Sequence, residues 1–186
     1  MISRLATALA LVLLVAGCDK PEPVQPARFP ERTEPVAGPR TAAVMTSPAK
    51  VRAFRVLDPF APEFEAEKKR RPLIAGLPVL AEAEVDAATA REIATLVLDP
   101  ESYDPKYAMA CLFEPRHVVR FERDAQSVDV VICFECSDLT IEPSASIGEK
   151  RTFEAFGKVA GPLSAAVAKI FPEERRAVSG DAGTTR

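Results

Sequence analysis

The sequence has no tryptophan, only two tyrosines, and glycine at just 8 of its 186 positions. The shortage of large amphipathic rings argues against a carbohydrate-stacking platform. No Gly-rich phosphate loop occurs, so the usual backbone cradle for a nucleotide is missing, and no serine stands in a nucleophile motif. Cations are not in surplus. Lys and Arg total 24 against 27 Asp and Glu, a net charge of −3, and nothing marks a nucleic-acid surface. No apolar run reaches the roughly 20 residues that a membrane-spanning helix needs. There are no internal repeats. Proline, by contrast, is abundant at 17 and is concentrated in the first half of the chain.

The chain opens Met1-Ile2-Ser3-Arg4, with one cation, and Leu5 to Ala16 is then almost wholly apolar. A basic start, a short apolar run and small residues at its end form a secretory signal. Here the end is Val15-Ala16-Gly17-Cys18, which resembles the lipobox of bacterial lipoproteins. The resemblance implies diacylglyceryl transfer to the Cys18 thiol, cleavage before it, and acylation of the new amine. Two or more acyl chains give stable anchoring where one does not. The expected partner is therefore the lipid bilayer, reached through acylated Cys18, with the chain on the periplasmic side. Asp19 resembles the inner-membrane retention signal of enterobacterial lipoproteins.

Composition divides the remainder. Residues 1–17 read as the signal peptide. Residues 18–49 read as the lipidated cysteine and a disordered, Pro-rich spacer with too few large apolar side chains to fold. Residues 50–172 read as one globular domain, and 173–186 as a disordered tail. Within the domain, Val51 to Leu57 is a short strand or a docked linker segment. Glu65 to Arg71 is a charge run, read as a solvated face in preference to an anionic-lipid contact. The apolar stretch from Leu73 to Val85 leads into a helix capped by Asp86, with Ala90, Ile93, Ala94 and Val97 on one side. Asp99-Pro100 ends it.

Two β-rich runs, His117–Arg123 and Val128–Phe134, flank the polar turn 124–127 and predict a hairpin. Pairing Arg123 with Val128 places Val119, Phe121, Val130, Ile132 and Phe134 on one face, the expected core. Leu139 to Ile141 is a third strand. Gly161-Pro162 starts a second helix with a Leu163, Val167, Ile170, Phe171 stripe. The expected fold is α+β: a small antiparallel sheet of three or four strands around the hairpin, with two helices on one face.

Apart from Cys18, every cysteine and the single histidine lie between residues 111 and 136. Four readings are open. Export favours a disulfide among Cys111, Cys133 and Cys136, since the hairpin brings its ends together. Reduced cysteine can serve as a small apolar residue, which suits Cys133 beside Val130, Val131 and Ile132. Cys111, His117, Cys133 and Cys136 also make a valid tetrahedral zinc set, although Phe134-Glu135 lacks the Gly or Pro of a zinc knuckle. A thioredoxin-like pair needs a following helix N-terminus, and haem attachment needs His at 137 where Ser137 stands. His117 reads more readily as a hydrogen-bonded structural residue than as a general base. The spacing of Glu114, Glu122 and Glu135 marks no acid–base pair.

The Cys111-Leu112-Phe113-Glu114-Pro115-Arg116-His117 segment and the Cys133-Phe134-Glu135-Cys136 ending resemble those of a group of exported bacterial proteins with Cys-x-Phe-x-Pro-x-His and Cys-Phe-x-Cys motifs. The resemblance spans about 100 residues from Leu77 onward and implies a shared α+β domain. It implies no activity. The expected function is thus a non-enzymatic, lipid-tethered binding or envelope-associated module, without a cofactor and with an envelope protein as its further partner. The alternative is a metal-binding or thiol-redox protein built on the Cys/His cluster.

Overall fold

The computed structural model of the protein describes residues 35–103 and 111–172. The signal segment, Cys18, Asp19, the spacer up to residue 34 and the tail 173–186 lie outside the described residues.

The strands are β1 (Lys50–Val56), β2 (Leu73–Ile74), β3 (Leu77–Glu84), β4 (His117–Arg123), β5 (Gln126–Cys133), β6 (Asp138–Pro143) and β7 (Thr152–Ala155). The helices are α1 (Pro39–Thr46), α2 (Phe64–Lys68), α3 (Ala87–Leu98) and α4 (Ala160–Ile170). All seven strands join one antiparallel sheet, ordered β2-β3-β1-β4-β5-β6-β7 and curled as a half-barrel. This corrects the expected small sheet of three or four strands with two helices. The excess comes from segments whose composition disguises them. The run Leu77–Glu84 ends Ala81-Glu82-Ala83-Glu84, made of helix-favouring residues, yet from Val79 onward half-buried and exposed positions alternate as a strand requires. It turns back on β2 through Ala75 and Gly76, both left-handed at φ 48° and 78°.

The central hairpin keeps its expected faces with a different register. Arg123 pairs with Gln126 across the two-residue turn Asp124-Ala125, where Asp124 takes φ 54°. The expected pairing of Arg123 with Val128 differs by two residues, which conserves side-chain parity. Val119, Phe121, Val130 and Ile132 are therefore all fully buried on the inner face. There they pack with Val44 and Met45 of α1, Ile93 and Val97 of α3, and Leu163 and Val167 of α4. Asp86 caps α3 as expected, accepting from the Ala88 and Thr89 N–H groups at 2.9 and 3.0 Å.

Folded structure begins earlier than the prolines suggest. Helix α1 lies inside the segment 18–49 expected to be disordered, with Pro39 in its first turn and Val44 and Met45 each 1% exposed. Its N-terminus is closed from afar. The Glu149 carboxylate accepts the Arg40 and Thr41 N–H groups at 3.0 and 2.9 Å.

The outer face of the sheet carries rungs of two kinds. One is charged: Arg52 bridges Glu82 and Glu122 at 2.9 and 2.7 Å, and Arg120 meets Asp129 through two bonds of 2.7 Å. The other is apolar: Phe54, Val118 and Val131 line up across β1, β4 and β5 and join Val56, Ile74 and Leu77 in a second cluster. Phe64 and Phe113 cover that cluster in part.

Candidate functional site

The four residues proposed as metal ligands are close in sequence, but the sheet sets His117 on the opposite face from Cys133. Cys111 and Cys136 lie at disulfide distance, with Cα atoms 5.7 Å apart. Two sulfurs bonded to one another cannot both act as thiolate ligands. His117 pairs with Ile132 across β4 and β5, so its ring shares the inner face with Ile132. It packs there between Phe134 and Phe171, with ring centroids at 5.6 and 6.0 Å. Cys133 is one residue beyond Ile132 and faces the other side of the sheet. Among the described residues, no group of three or more His, Cys, Asp or Glu side chains is arranged to hold a metal. Glu122 and Glu135 have different partners. Glu122 belongs to the Arg52 ion pair, whereas Glu135 sits 3.8 Å from Arg116.

What the fold does bring together is the three cysteines. The loop 134–137 joins β5 to β6 and carries Cys136, which is fully buried. Cys111 belongs to the segment before β4, tied down where Arg116 N–H donates to Ile132 C=O and Val56 N–H donates to Arg116 C=O. The Cys111–Cys136 bond therefore fastens this segment over the β5–β6 turn. Cys133 is the unbonded cysteine of the three, and it is buried. The Cys136 N–H donates to its sulfur at 3.4 Å.

Asp138 is a site residue that sequence reasoning missed. It opens β6 directly opposite Cys133. Its Oδ1 is buried and accepts no hydrogen bond, and burial pushes its carboxyl above the usual carboxylate range. The available signal was its place on the next strand, five residues after the strand-ending Cys133.

A second feature is a cleft of about 910 Å³ between the C-terminal end of α1, the start of β1, the end of β3 and α3. Met45, Val51, Ala90 and Ala94 form an apolar floor. Lys50 and Glu84, paired at 3.0 Å, stand on the rim with Arg91 and Asp99. The lining contains neither histidine nor cysteine. Nothing in the sequence signalled it, because α1 was not expected to fold.

Comparison with protein-family models, with curated proteins and with solved structures gives no match to this chain. Among the described residues, no helix is long and apolar enough to cross a membrane.

Proposed function

We propose that the chain is a membrane-anchored lipoprotein whose folded domain acts as a non-enzymatic binding module of the bacterial envelope. Anchoring rests on the lipobox-like Val15-Ala16-Gly17-Cys18 sequence, with the segment before residue 35 as the tether. The observation that carries the binding function is the cleft beside α1. Its volume of about 910 Å³, apolar floor and few charged rim groups fit the general form of a small-molecule or peptide site. Arg91 on that rim suits an amphipathic ligand with an anionic end.

Two measurements test this. Metabolic labelling with palmitate and membrane fractionation should show acylation and membrane retention for the natural chain, and both should vanish with Cys18→Ser. An identical distribution of the two forms rejects the anchor. For the cleft, an anionic fluorescent naphthalene sulfonate should bind the full Cys18→Ser chain and weaken about ten-fold with Arg91→Glu, a change of roughly 1.4 kcal/mol. Binding that ignores both Arg91→Glu and a cleft-filling Thr95→Trp rejects the cleft as the site.

The thiol-dependent alternative draws its support from the Cys133–Asp138 pair beside the Cys111–Cys136 bond. It does not require the anchor.

A further inference from the structure

We propose that Cys133 exchanges with the Cys111–Cys136 disulfide. The chain would alternate between a Cys111–Cys136 bond and a Cys133–Cys136 bond, latching and releasing the segment that carries Cys111, Leu112 and Phe113.

Access supports the exchange. Cys136 is fully buried whereas Cys111 is exposed, so a thiol from solvent meets the Cys111 sulfur first. The thiol already inside, next to Cys136, is Cys133. The Cys136 N–H donates to the Cys133 sulfur at 3.4 Å, which places that sulfur against the Cys136 backbone. Exchange also needs a place for the thiol proton. Asp138 stands directly opposite Cys133, and directly paired side chains share a face with Cβ atoms roughly 4.5–5.5 Å apart. Its buried Oδ1 has no hydrogen-bond partner. A carboxylate left unsatisfied in this way costs stability, and a proton received from Cys133 would relieve that cost.

The step balances without an outside reagent. Asp138 takes the Cys133 proton, and the Cys133 thiolate attacks the Cys136 sulfur. A Cys133–Cys136 bond forms while the Cys136–Cys111 bond breaks. The electron pair leaves on the Cys111 sulfur, which takes a proton from water. One disulfide and one thiol are present before and after, so nothing is oxidised or reduced overall. The consequence is local. Leu112 is 64% exposed, and Phe113 leans on Phe153 with ring centroids at 5.5 Å over the outer apolar cluster. Without the tie to Cys136, that cover is held only by its contacts.

The test maps disulfides in the full Cys18→Ser chain. After incubation in mildly alkaline buffer, an acid quench, alkylation and trypsin, the latched form links peptide 107–116 to peptide 124–150. The exchanged form gives an internal bond in 124–150 and an alkylated Cys111. Both forms are expected, reached from either direction, and Cys133→Ser should leave only the linked pair. Asp138→Asn should slow the approach to equilibrium about ten-fold, the low end for loss of a positioned base. An unchanged rate overturns the role of Asp138. As a second variant, Cys111→Ser treated with oxidised glutathione should form the Cys133–Cys136 bond. If both those thiols stay alkylatable, and the natural cysteine set yields only the linked peptides at every time, the exchange is overturned.

Discussion

Helix α1 is docked by a contact between residues more than 100 positions apart, and Gly38 gives a sharp way to test it. A Cβ built on Gly38 would lie 2.3 Å from the Glu149 carboxyl carbon. The backbone there is extended, at φ −63° and ψ 161°, so alanine itself fits without strain. In open space, Gly→Ala at such a position stabilises by about 0.4–1 kcal/mol through the unfolded state. Here the Glu149 side chain must swing away and abandon the Arg40 and Thr41 N–H groups, a capping loss of about 1–2 kcal/mol. The second effect wins, and Gly38→Ala should destabilise by about 0.5–1 kcal/mol. In a Glu149→Ala background no carboxylate remains to displace, so the same substitution should become neutral or stabilising. Urea denaturation of the four chains of this cycle measures the sign change. Gly38→Ala stabilising equally in both backgrounds would refute the docking of α1 by Glu149. The cap also has a pH signature. Burial alone would raise the Glu149 pKa, but the bonds from Thr41 and Arg40 and the charge of Arg40 outweigh it and hold the carboxyl below its usual value. Its contribution is thus present above the ordinary carboxylate pKa and lost as pH falls through the lower, folded-state pKa. The gap between the natural chain and Glu149→Ala should close in that acid range.

Two further outcomes follow from the cysteine region. The Cys111–Cys136 bond spans 25 residues, and loop-closure entropy gives it about 3.5 kcal/mol. Cys111→Ser should lower the unfolding free energy by about that much in urea, and a loss below about 1 kcal/mol would mean that the bond does not constrain the unfolded chain. Asp138→Asn should raise stability at neutral pH by about 1 kcal/mol, because burial penalises its charged form. A carboxyl whose folded pKa is raised destabilises increasingly as pH climbs from its unfolded pKa to its folded one. The advantage of Asn should therefore shrink in acid, and a difference independent of pH would show that the carboxylate is not desolvated.

Much of the inner face was legible because it depends on parity alone. Val119, Phe121, Val130 and Ile132 alternate with polar or outer-facing residues, and a two-residue error in the hairpin register did not move one of them to the wrong side. Asp86 and its helix were legible for a similar reason, since a cap and a stripe are local patterns. The misses are non-local. Strand β3 hides behind alanine and glutamate, whose propensity is helical, and is made a strand by pairing with β1. Strand β7 is only Thr152–Ala155 and exists because β6 offers it an edge. Helix α1 follows a proline-rich stretch and depends on a glutamate 109 residues later. No window of sequence contains that information.

The cysteines show both limits in one place. Their nearness was readable, since a hairpin must bring residues 111 and 133–136 to one end of the sheet. The choice of partner was not, because Cys133 and Cys136 differ by only three positions. The sheet decides it. Cys133 is still within β5, its direction fixed by pairing with Asp138, while Cys136 sits in the turn and can face the segment before β4. The same parity sends His117 inward among Phe134 and Phe171 while Cys133 points outward. A cluster on the sequence line thus becomes a histidine on the inner face and a trio of cysteines beside a carboxylate with one unpartnered oxygen. Chemistry at this end of the domain is therefore sought among the sulfurs and Asp138.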